Sequence, residues 1–258
     1  MPEAERGTFP RSKPLFELFD FESPDMSLTE PSPQPEHLRR EPPRDLYPWF
    51  LTIQDVDRDY SGRLDWREFF GNDQPVQLDI GSGRGLFLFN AAMTHPEQNF
   101  LGIEIDYKEG RRAAQRLKKR GLTTARVLGG DVKIPLTRMI APHSVAAVHV
   151  YFPDPWWKQK HRKRRVFNAE FVDLAAQILM PGGLLHSWTD VAEYFGVISE
   201  LMNNHPQFHT LAAPEERAPE HDMDYQTSFE RKGRKAGTAI HRGLWQRKAL
   251  THDADHMP

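Results

Sequence analysis

The chain contains no cysteine. Disulfide staples and thiolate metal centres are therefore excluded, and a reducing compartment is compatible with the composition. No apolar run is long enough to cross a bilayer, and the start carries no basic-then-apolar signal, so no membrane association is expected and the cytoplasm is the expected location. A large excess of either charge is also missing, the net being −2 over 258 residues. The charges are unevenly placed, however. Residues 1–45 hold ten acidic and six basic side chains, which leaves the remainder net positive. There the positive charge is bunched, and bunched cations mark polyanion partners.

Length suits one large α/β domain or two small ones, with ample material for a core. Residues 1–45 are rich in Pro, Glu and Ser, with prolines at 31, 33, 35, 42 and 43. Such a segment buries too little apolar surface to offset its chain entropy, and is expected to be a disordered leader. Residues 46–74 read as an extension packing on the core, 75–250 as the main domain and 251–258 as a disordered tail. From Pro75 onward, apolar strand-like runs alternate with helical ones: Val76–Ile80, Asn99–Ile105, Ala125–Gly129, Val145–Phe152 and Leu184–Thr189 as strands, His241–Lys248 as a last one. Alternation of this kind predicts an α/β fold with a mostly parallel sheet and helices on both faces. Ligands of such sheets bind beyond the carboxyl ends of the strands. The glycine loop Gly81-Ser82-Gly83-Arg84-Gly85, Glu104, Asp131, Asp154 and Asp190 all fall just past predicted strand ends.

The dinucleotide fingerprint would need a third glycine at position 86, and Leu86 stands there. Asp79 before the loop would repel a diphosphate but suits an amino group. Glu104 is placed to accept both hydroxyls of a ribose, and Asp131 to accept from an adenine amino group. Acids around a glycine loop suit a sulfonium amino acid joined to adenosine better than a nicotinamide dinucleotide. Tyr151-Phe152-Pro153-Asp154-Pro155-Trp156-Trp157-Lys158 then places one carboxylate between two prolines that keep it out of helix. Aromatic faces and the basic run Lys158, Lys160, Arg162, Lys163, Arg164, Arg165 follow. A fixed acid, flat rings and dense positive charge are the parts of a site that holds a base by its edge and a backbone by its phosphates. Two further basic blocks lie at 111–120 and 231–235.

Asp57, Asp59, Ser61, Gly62, Arg63, Asp65 and Glu68 match the spacing of an EF-hand calcium loop, with Leu64 at the usual apolar position. The chain breaks at Phe70 to Pro75, too soon for a full second helix, and no partner loop exists, so calcium binding is not expected and no metal site is assigned.

With the glycine loop, Phe152-Pro153-Asp154-Pro155-Trp156 and Thr227-Ser228-Phe229-Glu230 in hand, the chain resembles the bacterial tRNA (guanine-N7)-methyltransferase family from about Asp65 to Lys248. The resemblance implies the Rossmann-like class I methyltransferase fold with a seven-stranded sheet, S-adenosyl-L-methionine as cofactor, and tRNA as partner, methylated at a variable-loop guanine (position 46 in tRNA numbering). It implies cofactor contacts from Asp79, Gly81, Gly83, Gly85, Glu104, Asp131 and Asp154, with Asp154 catalytic. Substrate contacts are implied for Lys158, Asp190, Thr227, Ser228, Phe229 and Glu230. Lys160, Arg162, Lys163, Arg164 and Arg165 are expected on RNA phosphates, and no obligate protein partner is inferred. The family commonly has Glu where Asp79 stands and a varied residue at Trp157. Other class I RNA methyltransferases and a nicotinamide-dependent oxidoreductase are the alternative readings.

Overall fold

The computed structural model describes residues 44–214, 225 and 227–249. The expected leader, apart from Arg44 and Asp45, and the expected tail lie outside them. The elements in chain order are β1 (Phe50–Thr52), α1 (Ile53–Asp59), α2 (Trp66–Phe70), β2 (Val76–Ile80), α3 (Leu86–Thr94), β3 (Asn99–Glu104), α4 (Tyr107–Arg120) and β4 (Ala125–Gly129). They continue as β5 (Val145–Tyr151), α5 (Ala169–Ile178), β6 (Leu179–Thr189), α6 (Ala192–Asn203), β7 (Phe208–Leu211), α7 (Ser228–Lys235) and β8 (His241–Arg247). The strands form one sheet in the order β1-β4-β3-β2-β5-β6-β8-β7. Pairings are parallel from β1 through β6, and β8 runs antiparallel to both β6 and β7.

The sheet has eight strands rather than the expected seven. The addition is β1, whose three residues pair in parallel with Val127, Leu128 and Gly129 of β4. The sequence reading assigned no strand within 46–74, but these three residues are all buried, as a strand demands. Its Thr52 then caps α1 in a reciprocal arrangement with Asp55. A second difference is the start of β6 at Leu179, so that Pro181-Gly182-Gly183 lies inside the strand, where the register against β5 shifts. A third is α7: Thr227 to Glu230, expected only as substrate contacts, open a helix with Thr227 as its cap.

Apolar side chains cover both faces of the sheet. Leu51, Val56, Phe69, Leu78, Ile103, Val148 and Phe171 meet on one side. Phe87, Leu88, Ala113, Ala114 and Leu117 of α3 and α4 meet Phe100 and Val127 on the other. Asp106 caps α4 by accepting from the amides of Lys108 and Glu109, and Gly121 ends it in the left-handed conformation. The cap places the start of α4 directly after Glu104, at the cavity described below.

The EF-hand-like stretch folds as α1, a turn and the five-residue α2, with Leu64 bridged to Ile140. Its acids are taken by arginines. Arg138 grips Asp57 with two hydrogen bonds of 2.7 and 2.9 Å, Arg44 and Arg58 hold Asp59, and Asp65 caps α2.

Candidate active site

The carboxyl ends of β2, β3, β4 and β5 open on one cavity of about 1370 Å³. This exceeds the roughly 300–1,000 Å³ of common small-molecule pockets and leaves room for two ligands meeting end to end. Its floor is the glycine loop. Gly81, Gly83 and Gly85 all have positive φ, of 74°, 52° and 66°. A side chain at Gly81 would meet nothing within 4 Å, so that glycine serves the turn and leaves the backbone open to a ligand. Gly85 serves packing instead: a Cβ there would lie 2.6 Å from the Cβ of Ala113 on α4.

Glu104 is fastened at both oxygens. Gly83 N–H donates to one at 2.7 Å and Asp106 N–H to the other at 2.8 Å. The carboxylate is thus fixed at the cavity wall with lone pairs to spare. Asp79 lies beneath, 3 % exposed. Burial, with repulsion from Glu104 added, raises its carboxyl to about 8. Asp131 follows Gly130 at the end of β4, is exposed to the cavity, and accepts from Lys133 N–H at 2.9 Å. Ile105, 71 % exposed, and Val132 give this end of the cavity apolar walls suited to a flat ring. Sequence reasoning missed both; the available signal was an apolar residue directly after each strand-end acid.

Across the opening stand Phe152, Pro153, Asp154 and Trp156. Asp154 is exposed. Phe152 stacks on Phe229 of α7, with ring centroids 6.1 Å apart and planes at 22°. Phe229 is 62 % exposed, leaving a large apolar face toward solvent beside Asp154's side of the cavity. Lys163, Arg164, Arg231, Lys232 and Arg116 add positive charge to the lining, as do Arg84 and Lys133, which are paired with the lining acids Glu109 and Glu170.

Tyr151, at the end of β5, lines the cavity, a role the sequence reading did not give it. Its hydroxyl donates to His149 Nδ1 at 2.9 Å, because His149 Nε2–H donates to Gln77 Oε1 at 2.6 Å. Burial, and then the stacked His186, keep His149 neutral by holding its pKa well below the ordinary value. Burial also pushes the Tyr151 phenol well up, with smaller contributions from Asp79 and Glu230. The ring is therefore a fixed, neutral wall.

Not every expected residue reaches the cavity. Gly81, Gly83, Glu104, Asp131, Asp154, Lys163, Arg164, Arg165, Ser228 and Phe229 line it. Asp79 and Gly85 sit behind the wall. Lys158, Lys160, Arg162 and Asp190 are exposed outside it. Thr227 accepts from Glu230 N–H at 3.0 Å as the cap of α7. Glu230 is buried, facing Arg234 at 3.3 Å and Arg242 at 3.7 Å, and Arg242 rests on Trp188. Its carboxylate ties α7 to β8 instead of facing the opening.

Residues 73–243 match a family model described as a putative methyltransferase. The tRNA (guanine-N(7)-)-methyltransferase of Rhodopirellula baltica is 39% identical over 215 residues, covering 81% of this chain and 78% of that protein. The enzyme of the same description from Vibrio cholerae is 37% identical over 187 residues, covering 72% and 78%. Among solved structures, the 16S rRNA methyltransferase KamB is 15% identical, with a TM-score of 0.52 and coverage of 72% of this chain and 95% of that one, a likeness of fold. The sheet order, the acid-lined cavity at its strand ends and these relatives lead to one assignment: the chain belongs to the tRNA (guanine-N7)-methyltransferase family.

Proposed function

We propose that this protein methylates N7 of a variable-loop guanine of tRNA, at position 46, using S-adenosyl-L-methionine. The observation that carries the reading is one cavity lined both by the strand-end acids Glu104, Asp131 and Asp154 and by a cluster of Lys and Arg side chains. A cationic nucleoside cofactor suits the acids and a polyanion suits the cations. The donor set fits that cofactor. Glu104 would hold the ribose, Asp131 the adenine amino group between Ile105 and Val132, and Gly81 and Gly83 the amino-acid end, with Asp79 buried beneath them. The cofactor supplies a methyl group already activated for transfer.

Guanine N7 bears a lone pair and no proton, so no residue has to act as a base. What the chain must do is orient the purine. The exposed face of Phe229, backed by Phe152, offers a stacking surface for it. The purine gains positive charge as the methyl arrives, and the Asp154 carboxylate stabilises that charge while accepting from the Watson–Crick edge. Asp190 and Lys158, outside the cavity, and Ser228 at its edge meet the neighbouring nucleotides. Thr227 and Glu230 act through α7, by setting the place of Phe229. Lys160, Arg162, Lys163 and Arg164 contact phosphates. No helix among the described residues is long and apolar enough to cross a membrane. The enzyme works in the cytoplasm on tRNA without an obligate protein partner.

The test is transfer from labelled S-adenosylmethionine to unmodified tRNA, followed by chemical cleavage at 7-methylguanine. Cleavage at the variable-loop guanine is expected; label at another base refutes the assignment. Asp154→Asn keeps the shape and removes the charge. It should cut turnover by about 10²–10³, as removal of a charge-stabilising group does, and lower cofactor affinity far less. Unchanged turnover would remove Asp154 from the mechanism.

A further inference from the structure

The segment carrying Asp154 is strained at both ends. Phe152 has φ of 53° and Trp156 of 43°. Left-handed backbone at a non-glycine residue costs on the order of 1–3 kcal/mol and persists only where the surroundings enforce it. On the upstream side Phe152 N–H donates to Trp188 O at 2.7 Å. On the downstream side the hold comes from the basic run. Arg165 Nε donates to Pro155 O at 2.7 Å, the carbonyl directly before the strained Trp156. The same guanidinium lies over the Tyr194 ring, 4.6 Å from its centroid. Tyr194 belongs to α6 and is 1 % exposed, so it is an immovable support. Arg165 is half-buried, whereas Arg162, Lys163 and Arg164 are exposed. Its neighbour Arg164 lies over the Trp156 ring, 5.1 Å from its centroid.

We propose that Arg165 is a positioning residue, which fixes the direction of Asp154 by bracing the Pro153–Pro155 turn against α6, and is not a phosphate contact. This deepens the reading above and rests on Asp154 acting in the transfer. The chemistry of the side chain lets the two roles be told apart. In arginine the fifth side-chain atom from Cα, counting Cα as the first, is Nε. Glutamine carries an N–H at that same place, with no charge. Lysine carries a methylene there, with the charge kept one atom further out. Arg165→Gln therefore keeps an N–H at that place but loses the charge and the flat face on Tyr194, and Arg165→Lys keeps the charge but moves its donor one atom out and loses the same flat face.

The experiment measures kcat, KM for unmodified tRNA and the salt dependence of tRNA binding in the full chain carrying each substitution. Arg165→Lys should lower kcat about 10–100-fold, the scale of a small misplacement at a reacting centre, with KM and salt slope unchanged. Arg165→Gln keeps an N–H for Pro155 O but loses the guanidinium face on Tyr194, so its kcat should fall as well, with KM and salt slope unchanged. The reverse pattern overturns the proposal: an active Arg165→Lys beside an Arg165→Gln with weakened tRNA binding and a slope shallower by roughly 0.7–0.9. If Arg165→Lys does not fold, Arg165→Gln decides alone, because the two roles demand opposite results from it. Asp154→Asn in the same assay keeps the two readings apart. A slow Asp154→Asn beside a fully active Arg165→Lys defeats only the brace; a fully active Asp154→Asn defeats the role of Asp154 and the brace with it.

Discussion

Replacing Asp79 by asparagine should stabilise the cofactor-free protein while weakening its hold on the cofactor. The carboxyl titrates at 3.8 in its ordinary state and at about 8 in the folded chain, through burial first and Glu104 second. Because the folded value is the higher one, the folded chain at neutral pH must carry a proton that the unfolded chain has released. Stability is then fully present below 3.8 and is lost as pH rises, until the loss ends above about 8. At about 1.4 kcal/mol per unit, the loss already reaches about 4 kcal/mol at pH 7. Asparagine does not titrate, but its amide brings hydrogen-bonding needs of its own to a buried place, so a net gain of about 2–4 kcal/mol is expected. Chemical denaturation at pH 5, 7 and 9 without cofactor measures this directly. The wild type should weaken across the series relative to the variant; parallel profiles would refute the reasoning. The cofactor side follows from the same proton. A cationic ligand above the glycine loop favours the Asp79 carboxylate, so binding at pH 7 should release protons, and affinity should rise as pH passes through the folded value. Calorimetry in buffers of different ionisation heat reads both quantities, and both should vanish in Asp79→Asn.

Three further outcomes are expected. Phe229→Ala should leave stability nearly unchanged, since the ring is largely exposed, yet cost about 1–3 kcal/mol in transition-state binding of tRNA through lost stacking; an unchanged kcat/KM would exclude a stacking role. Lys163→Gln with Arg164→Gln should reduce the slope of log affinity against log salt by roughly 0.7–0.9 per lost phosphate contact without altering cofactor affinity; an unaltered slope would place both side chains off the RNA. Calcium at millimolar concentration should leave the fluorescence of Trp66 unchanged, because arginines already neutralise Asp57 and Asp59; a saturable change would show that the ion displaces them.

The parallel core was legible because each of its strands is a short apolar run bounded by turn residues, and burial on both faces leaves no other use for such a run. Val76–Ile80 and Ala125–Gly129 fall where the sequence puts them. Strand-end acids were legible for a related reason: in a βα alternation the ends of all parallel strands emerge on one side, so Glu104, Asp131 and Asp154 had to converge. β1 was not legible, since three residues carry no period and the partner that makes them a strand lies more than seventy positions away. The start of α7 did leave a signal, a threonine with a glutamate three residues on, which is a helix opening. Taking these residues only as substrate contacts directed Glu230 inward, when Arg234 and Arg242 had claimed it. The basic run was read by charge alone, and charge does not separate Arg165, under which an aromatic ring lies, from neighbours that face water.

The edge position of β1 sets where the chain can be shortened. The amide of Val127 reaches back to Trp49 O at 2.8 Å, and Leu51, Val56 and Phe69 fill the adjoining core. A truncated chain beginning at residue 73, where the family match begins, would bare the hydrogen-bonding row of β4 and leave greasy surface alongside it. Unguarded strands of that kind recruit copies of themselves. Such a fragment should clump rather than fold, even with every acid and glycine of the cavity intact.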